Sequence, residues 1–261
     1  MMTDRQNPSC PAEILTLRGD DAAGFANAQL ASKVDQLDTA QWQWTAWLGA
    51  DGKVRLLGML WKDNEGIHVL LRGGRAAQVR ATMQAFVMRS HVELTASSAN
   101  GLSPGEALPE RRLHRDGETL AFGLGDYSLR LTQTPETSAP EQWVASTAHA
   151  IGAGHPWLPE DTLDMFLPPA LGLYTLGAVT LGKGCYPGQE MANRLHRLGG
   201  HKHVLAHVQC NRARAAGEEL SLDGQQVATI LMHADGHSLL VSRQEALGKL
   251  PGCTLVRQFP G

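Results

Sequence analysis

Cysteine is scarce in this chain of 261 residues, with only Cys10, Cys185, Cys210 and Cys253. No two form a C-x-x-C pair, which excludes a zinc ribbon, a redox dithiol and ferredoxin-type cluster spacing. A chain of this size needs no disulfides, so reduced thiols in a reducing compartment are expected. Excess positive charge is also lacking. The formal net charge is −3, so no global field recruits nucleic acid or an anionic membrane, and an anionic partner must be held locally. The opening MMTDRQNPSC lacks the basic-then-apolar order of a secretory leader. Residues 166–182 carry no charge, but they are short for a membrane span and are broken by Pro168-Pro169, Gly172, Gly177 and Gly182. A buried, turn-rich connection is expected there, in a cytoplasmic protein without membrane attachment. Gly152-Ala153-Gly154 and Gly123-Leu124-Gly125 lack the strand-to-helix context and third glycine of a dinucleotide loop.

What is present is an α+β pattern. Glu13–Leu17 reads as a strand, and Asp20 or Asp21 can cap a helix reaching Leu37 through Phe25, Leu30 and Val34. QWQWTAWL and KVRLLGMLW flank the turn Gly49–Gly52 as a hairpin. Ile67–Leu71 predicts a strand, Arg75–Ser90 a helix and Val92–Thr95 a closing strand, together a ferredoxin-like module over 1–96. Residues 97–118, rich in Ser, Gly, Pro and charge, read as a surface connection. A trimmed second module over 97–202 has a hairpin (Leu120–Phe122 and Tyr127–Thr132), the loop TQTPETSAP and a helix from Pro140 or Glu141 to Ile151. Short strands from His203 onward predict a small antiparallel β-barrel over 203–261.

The chemistry concentrates in KGCYPGQE, residues 183–190. Pro187 suits a helix's first turn, and Gly199-Gly200 suits its end. Cys185 then precedes a helix N-terminus with Lys183 two residues away, and both effects lower a thiol pKa. Gly184 and Gly188 permit tight turns or close approach. The competing reading is a buried cysteine packed against Tyr186. Trp42 and Trp44 share one strand face and Trp47 the other, a packing arrangement. His201, His203 and His207 share strand parity, but without a carboxylate companion they read as a solvated or phosphate-facing surface, and no metal site is assigned. Residues 183–203 hold Lys183, Arg194, Arg197 and Lys202 against Glu190 alone. That is either a solvated helix face or a dock for an anion.

KGCYPGQE resembles the K-G-C-[YF]-x-G-Q-E signature of the YgfZ family, folate-binding proteins related to the T-protein (aminomethyltransferase) of glycine cleavage. PPALGLYTLGAVTLGKGC, LRGDDAAGFANAQLASKVDQL and LGADGKV resemble further family segments. The resemblance carries over to Lys183, Gly184, Cys185, Tyr186, Gly188, Gln189 and Glu190, with Pro187 in the variable place. It implies two ferredoxin-like modules around a central folate pocket plus the C-terminal barrel. It also implies a tetrahydrofolate-dependent accessory factor for iron–sulfur enzymes, including those that thiolate tRNA, with transient iron–sulfur contact and no defined turnover. Direct tRNA binding stays open, and a monomer is expected. In this scheme Cys185 and Lys183 form the reactive pair. Trp143, which fits a family tryptophan–glycine–proline arrangement with two extra residues, stacks on the pterin or fills the core. Arg194 belongs to the cations that meet the folate's anionic tail. The alternatives are a folate-dependent aminomethyl or one-carbon transferase, and a scaffold that binds no folate.

Overall fold

The computed structural model describes residues 10–134, 138–199 and 201–261. The N-terminal leader reading, the middle of the TQTPETSAP loop and Gly200 lie outside the described residues.

Eight antiparallel strands form one sheet in the order β2-β3-β4-β1-β5-β8-β7-β6. They are β1 (Cys10–Arg18), β2 (Gln43–Leu48), β3 (Val54–Asp63), β4 (Gly66–Leu71), β5 (Glu93–Gly105), β6 (Leu113–Asp116), β7 (Thr119–Gly123) and β8 (Ser128–Thr132). α1 (Ala22–Gln29) and α2 (Ala76–Met83) cover one face of the first half, and α3 (Pro140–Ala153) belongs to the second. The expected surface connection at 97–118 is overturned. β5 runs straight through residue 96, pairing with β1 from Arg18↔Glu93 to Cys10↔Leu102 and with β8 from Gly101 to Gly105. One strand therefore serves both modules. Its polar, small-residue second half masked the signal because it packs few large side chains.

The two ends of the strand order meet. Leu113 N–H donates to Ala40 O at 2.9 Å, Trp42 N–H to Arg111 O at 3.1 Å, and the Trp42 indole N–H to Gly123 O at 3.0 Å. Gln41 bridges Arg112 in antiparallel fashion, so the sheet curls until its edges touch. Alternation along β2 then separates two cores. Trp42, Trp44, Trp61 and Phe122 pack edge to face inside the curl, while Trp47 joins Leu15, Leu56, Leu60 and Phe25 under the helices. The tryptophan parity expected from sequence holds.

α1 stops eight residues short of Leu37, although Leu30, Val34 and Leu37 are buried. Ala31 N–H is captured by Ala46 O at 2.8 Å and Val34 N–H by the Asn27 side chain at 3.2 Å, which draws the backbone onto β2. The apolar spacing reported burial rather than helix. α2 likewise gives way at Gln84–Phe86 to a tighter 3-10 turn.

β9 (His203–Cys210), β10 (Glu219–Leu222), β11 (Gln225–Ala234), β12 (His237–Arg243) and β13 (Cys253–Gln258) form a second antiparallel sheet, ordered β10-β11-β12-β9-β13. β10 and β13 stand at opposite ends of that order, so the ladder is a five-stranded sheet and not a hydrogen-bonded ring. One face joins the main core through Leu205, Leu231, Met232, Leu239 and Val241. The expectation of reduced thiols is corrected here: Cys210 and Cys253, directly opposed on β9 and β13, are disulfide-bonded. Their separation of 43 residues leaves no local spacing signal. Residues 166–182 are the expected buried connection, with Ala170, Leu171, Leu173, Ala178 and Val179 enclosed. Among the described residues no helix is long and apolar enough to cross a membrane.

Replacing Trp42 with Phe removes the indole bond to Gly123 and shrinks a side chain that is 1% exposed. We expect a loss of about 1–3 kcal/mol in urea unfolding with an unchanged denaturant slope.

Candidate functional site

The buried connection delivers KGCYPGQE to the rim of the curled sheet. Thr180 N–H donates to Ala31 O at 2.9 Å, and the chain then turns outward. The Lys183 ammonium reaches back, donating to Leu30 O and Ser32 O at 2.7 Å each, and sits 5.4 Å from the centre of the Tyr186 ring. Burial pushes its pKa down to about 8, opposed by the Asp35 carboxylate. Tyr186 is buried, and its hydroxyl donates to Thr180 O at 3.0 Å. The Gln189 amide donates to Lys183 O at 3.2 Å, closing the loop on itself.

The loop hands over to α4 (Gln189–Leu198), which begins two residues later than Pro187 would place it, with Gly188 as its N-cap. Gly188 has φ +75°, and a Cβ there would stand 2.5 Å from Gly49 O and 3.0 Å from the Gly52 Cα. Gly52 in turn has φ +80°, with Met191 2.8 Å from where its own Cβ would be. These two glycines let the start of α4 lie directly on the β2–β3 turn. Gly184 has open space around it, so no contact demands glycine there. Further along α4, the Tyr174 hydroxyl holds Ala192 O at 2.9 Å.

Between these ties Cys185 is free and exposed, which removes the buried-cysteine alternative. Lys183, Tyr186 and Gln189 converge beneath it, while Gly184 and Glu190 are exposed beside it. The Lys183 hydrogen bonds point inward to backbone carbonyls, which makes this side chain the tether of the loop. Arg194 is exposed on α4. Trp143 is 6% exposed within the main core on α3, and its indole N–H has no hydrogen-bond partner. The histidines do not converge. His201 Nδ1 donates to His203 O, His207 Nε2 lies 2.8 Å from His237 Nδ1, and no group of three metal-ligating side chains occurs among the described residues.

A second constellation escaped the sequence reading. Inside the curl the Arg72 guanidinium lies 4.1 Å over the Trp157 ring, and the Tyr127 hydroxyl lies 3.2 Å from His155 Nδ1. Burial, reinforced by the Arg72 charge, pushes His155 down to about 4, so the imidazole is neutral. Trp44, Trp61, Trp143 and Trp157 all belong to or pack against this core, and none of their indole N–H groups has a partner. Trp47 on the outer face shares that lack, so the distinguishing feature of the interior is the number of such donors in one core, with Trp44 beside His155 and Trp157 beneath Arg72. Flat rings, orphan donors and a buried cation match the flat, acceptor-rich pterin of a folate. Only Trp143 was legible, because a buried Arg and His carry no spacing signature.

With this geometry in place, similarity to known proteins becomes informative. The tRNA-modifying protein YgfZ of Sodalis glossinidius is 25% identical over 243 residues, spanning 80% of this chain and 73% of that protein. The chain is similar to the YgfZ proteins. That of Escherichia fergusonii is 24% identical over 274 residues, covering 85% of this chain and 83% of its own length. No family model matches the chain. Among solved structures, the glycine cleavage system aminomethyltransferase T from Bartonella henselae superposes with a TM-score of 0.66 and 12% identity, over 96% of this chain and 83% of that one. That likeness is one of fold, and it fits the curled sheet with its second antiparallel sheet. YgfZ-like similarity thus extends far beyond the eight-residue motif.

Two outcomes test the geometry. Gly188→Ala should cost about 2–3 kcal/mol and speed tryptic cleavage after Lys183, whereas Gly184→Ala should stay within about 0.5 kcal/mol. His155, with an ordinary pKa of 6.5 and a folded value of about 4, leaves the unfolded chain holding more protons between those values. Its contribution is complete above about pH 6.5 and is lost as pH falls towards 4. Thermal melts should show wild type losing stability relative to His155→Gln across that window.

Proposed function

We propose that this chain is a folate-binding accessory protein of the YgfZ type, supporting iron–sulfur enzymes that include those thiolating tRNA. One observation carries the reading: a YgfZ-like KGCYPGQE loop presents an exposed thiol at the rim of a sheet whose interior gathers orphan indole donors. Tetrahydrofolate, when bound, supplies one-carbon carrier chemistry. The chain's own residues do the rest. Trp44, Trp61 and Trp157 offer indole N–H donors, and Trp143 adds another from α3. Arg72 holds positive charge in the interior, and neutral His155 accepts from or donates to its neighbours without adding charge.

The division of labour follows from the tethers. Lys183 fixes the loop to the α1–β2 connection, Gln189 closes it, and Gly188 seats α4 on the β2–β3 turn. Cys185 is thereby held outward at a fixed position, where an iron–sulfur partner can meet it. Exposed Arg194 stands on the same helix to receive an anionic group. In this reading the protein is an accessory factor and Cys185 its contact group, with no resident metal.

The fold likeness to an aminomethyltransferase favours a second reading, a folate-dependent one-carbon transferase. It needs no thiol, so the two part at Cys185. Tetrahydrofolate should quench tryptophan fluorescence equally in wild type and in Cys185→Ala. Cys185→Ala should fail to restore tRNA thiolation in cells lacking their own factor. Absence of quenching at high micromolar ligand removes the folate assignment, and full restoration by Cys185→Ala removes the thiol. Turnover of an aminomethyl-carrying lipoyl protein would establish the transferase.

A further inference from the structure

The far end of α4 borders a separate cavity of about 540 Å3, where the β2–β3 turn, the 165–170 segment and the C-terminal sheet meet. Its lining is of two kinds. Phe166, Leu167, Ala170, Leu195, Val227 and Val241 give it apolar surface, and Met165, also in the lining, is 42% exposed. Lys53, Lys202, Arg243, His201 and His203, with Gln226 and Thr229, supply its polar lining, and no Asp or Glu lines the cavity.

The cations are available. Lys202 and Arg243 have no carboxylate within ion-pair distance among the described residues. Lys53 meets only Asp51 at 3.4 Å, in a pair whose side chains are 43% and 56% exposed and which therefore contributes little. Burial pushes His203 below its ordinary pKa, with the Arg243 and His201 charges adding to the effect. Without a carboxylate in the lining, these neighbouring charges are uncompensated, a setting that an anion relieves.

Volume and lining narrow the class of anion. A cavity of this size is in the range of small-molecule sites and far exceeds one inorganic phosphate. An apolar lining with an aromatic side chain and an exposed methionine suits a flat heterocycle, while lysine and arginine suit a phosphate. We propose that this cavity binds a nucleotide unit, its phosphate on Lys202 and Arg243 with Lys53 adjoining, its base against Phe166 and Met165. A free nucleotide and a nucleotide within single-stranded RNA carry the same chemistry. The site is independent of folate in the sheet interior. α4 spans ten residues, about 15 Å, and joins this cavity, which Leu195 lines, to the Cys185 end of the same helix.

Calorimetry at low salt with adenosine 5′-monophosphate, adenosine, a single-stranded RNA octamer and triglutamate tests this, using wild type and the double variant Lys202→Gln/Arg243→Gln. The monophosphate should bind at least about tenfold more tightly than adenosine, and the double variant should lose at least about tenfold. Tighter binding of the octamer, with a steeper salt dependence, assigns the source to RNA; binding no tighter than the monophosphate assigns it to a free nucleotide. The proposal is overturned if neither phosphate ligand binds, if adenosine binds equally well, if the variant binds as wild type does, or if only triglutamate depends on these two residues. Tetrahydrofolate quenching measured in the same variant should be unchanged, which separates failure here from failure of the folate assignment.

Discussion

The contact that organises this molecule is the meeting of residues 40–42 with 111–113. An open eight-stranded sheet would expose one face to water and leave two edges unpaired. Here the hydrogen bonds of Trp42 to Arg111 and of Leu113 to Ala40, flanking the Gln41–Arg112 bridge, bring the edges together, and a face that would need its own helical cover becomes an interior. That explains how the second half of the sheet, with α3 as its packed helix, can be stable. Its sheet face is covered by the curl and by the C-terminal sheet. The long β5 is the necessary partner of this arrangement, because only a strand common to both halves lets the curvature pass without a break.

The motif loop depends on that closure. Lys183 is anchored on Leu30 O and Ser32 O, and the segment that carries those carbonyls is itself drawn onto β2 by the Ala31–Ala46 bond. Gly188 rests on the turn that ends β2. The thiol is therefore positioned by residues of the α1–β2–β3 region although it lies more than 130 residues further along the chain. Placing an ammonium on two backbone carbonyls at 2.7 Å is costly in desolvation, as its lowered pKa records, and a neutral side chain would avoid the cost. The two bonds fix the loop that carries Cys185 to the α1–β2 connection, so the cost goes with positional accuracy at the thiol.

Local patterns were readable wherever side chains alternate. The β2–β3 hairpin, the opposed faces of Trp44 and Trp47, α3 and the five C-terminal strands all follow from spacing and turn residues. So did the exposed setting of the motif, which its glycines and its proline announce. Features made by distant partners were not readable. β5 beyond residue 96 is strand because β1 and β8 flank it, not because Ser97, Ser98 and Asn100 favour strand. The Leu30–Leu37 stripe is buried without being helical, since hydrogen bonds to β2 outweigh propensity there. Cys210 and Cys253 oppose each other only once β13 lies on β9, and Arg72, Tyr127 and His155 meet only after the sheet has curled.

That last group bears most on function. A buried donor left without a partner costs about 1–3 kcal/mol, and a fold selected for stability alone removes such costs by replacing Trp with Phe or Leu. This interior holds four such indoles, a guanidinium that is 2% exposed and an imidazole too deeply placed to protonate at neutral pH. Trp42 shows that the fold can satisfy an indole when its role is purely structural, since its N–H closes the seam. Within one core the Trp42 indole N–H closes the seam, while those of Trp44, Trp61, Trp143 and Trp157 meet no protein acceptor. The KGCYPGQE loop stands at the rim of this interior, so the same curl that stabilises the protein brings the buried indole cluster and an exposed thiol into one structure.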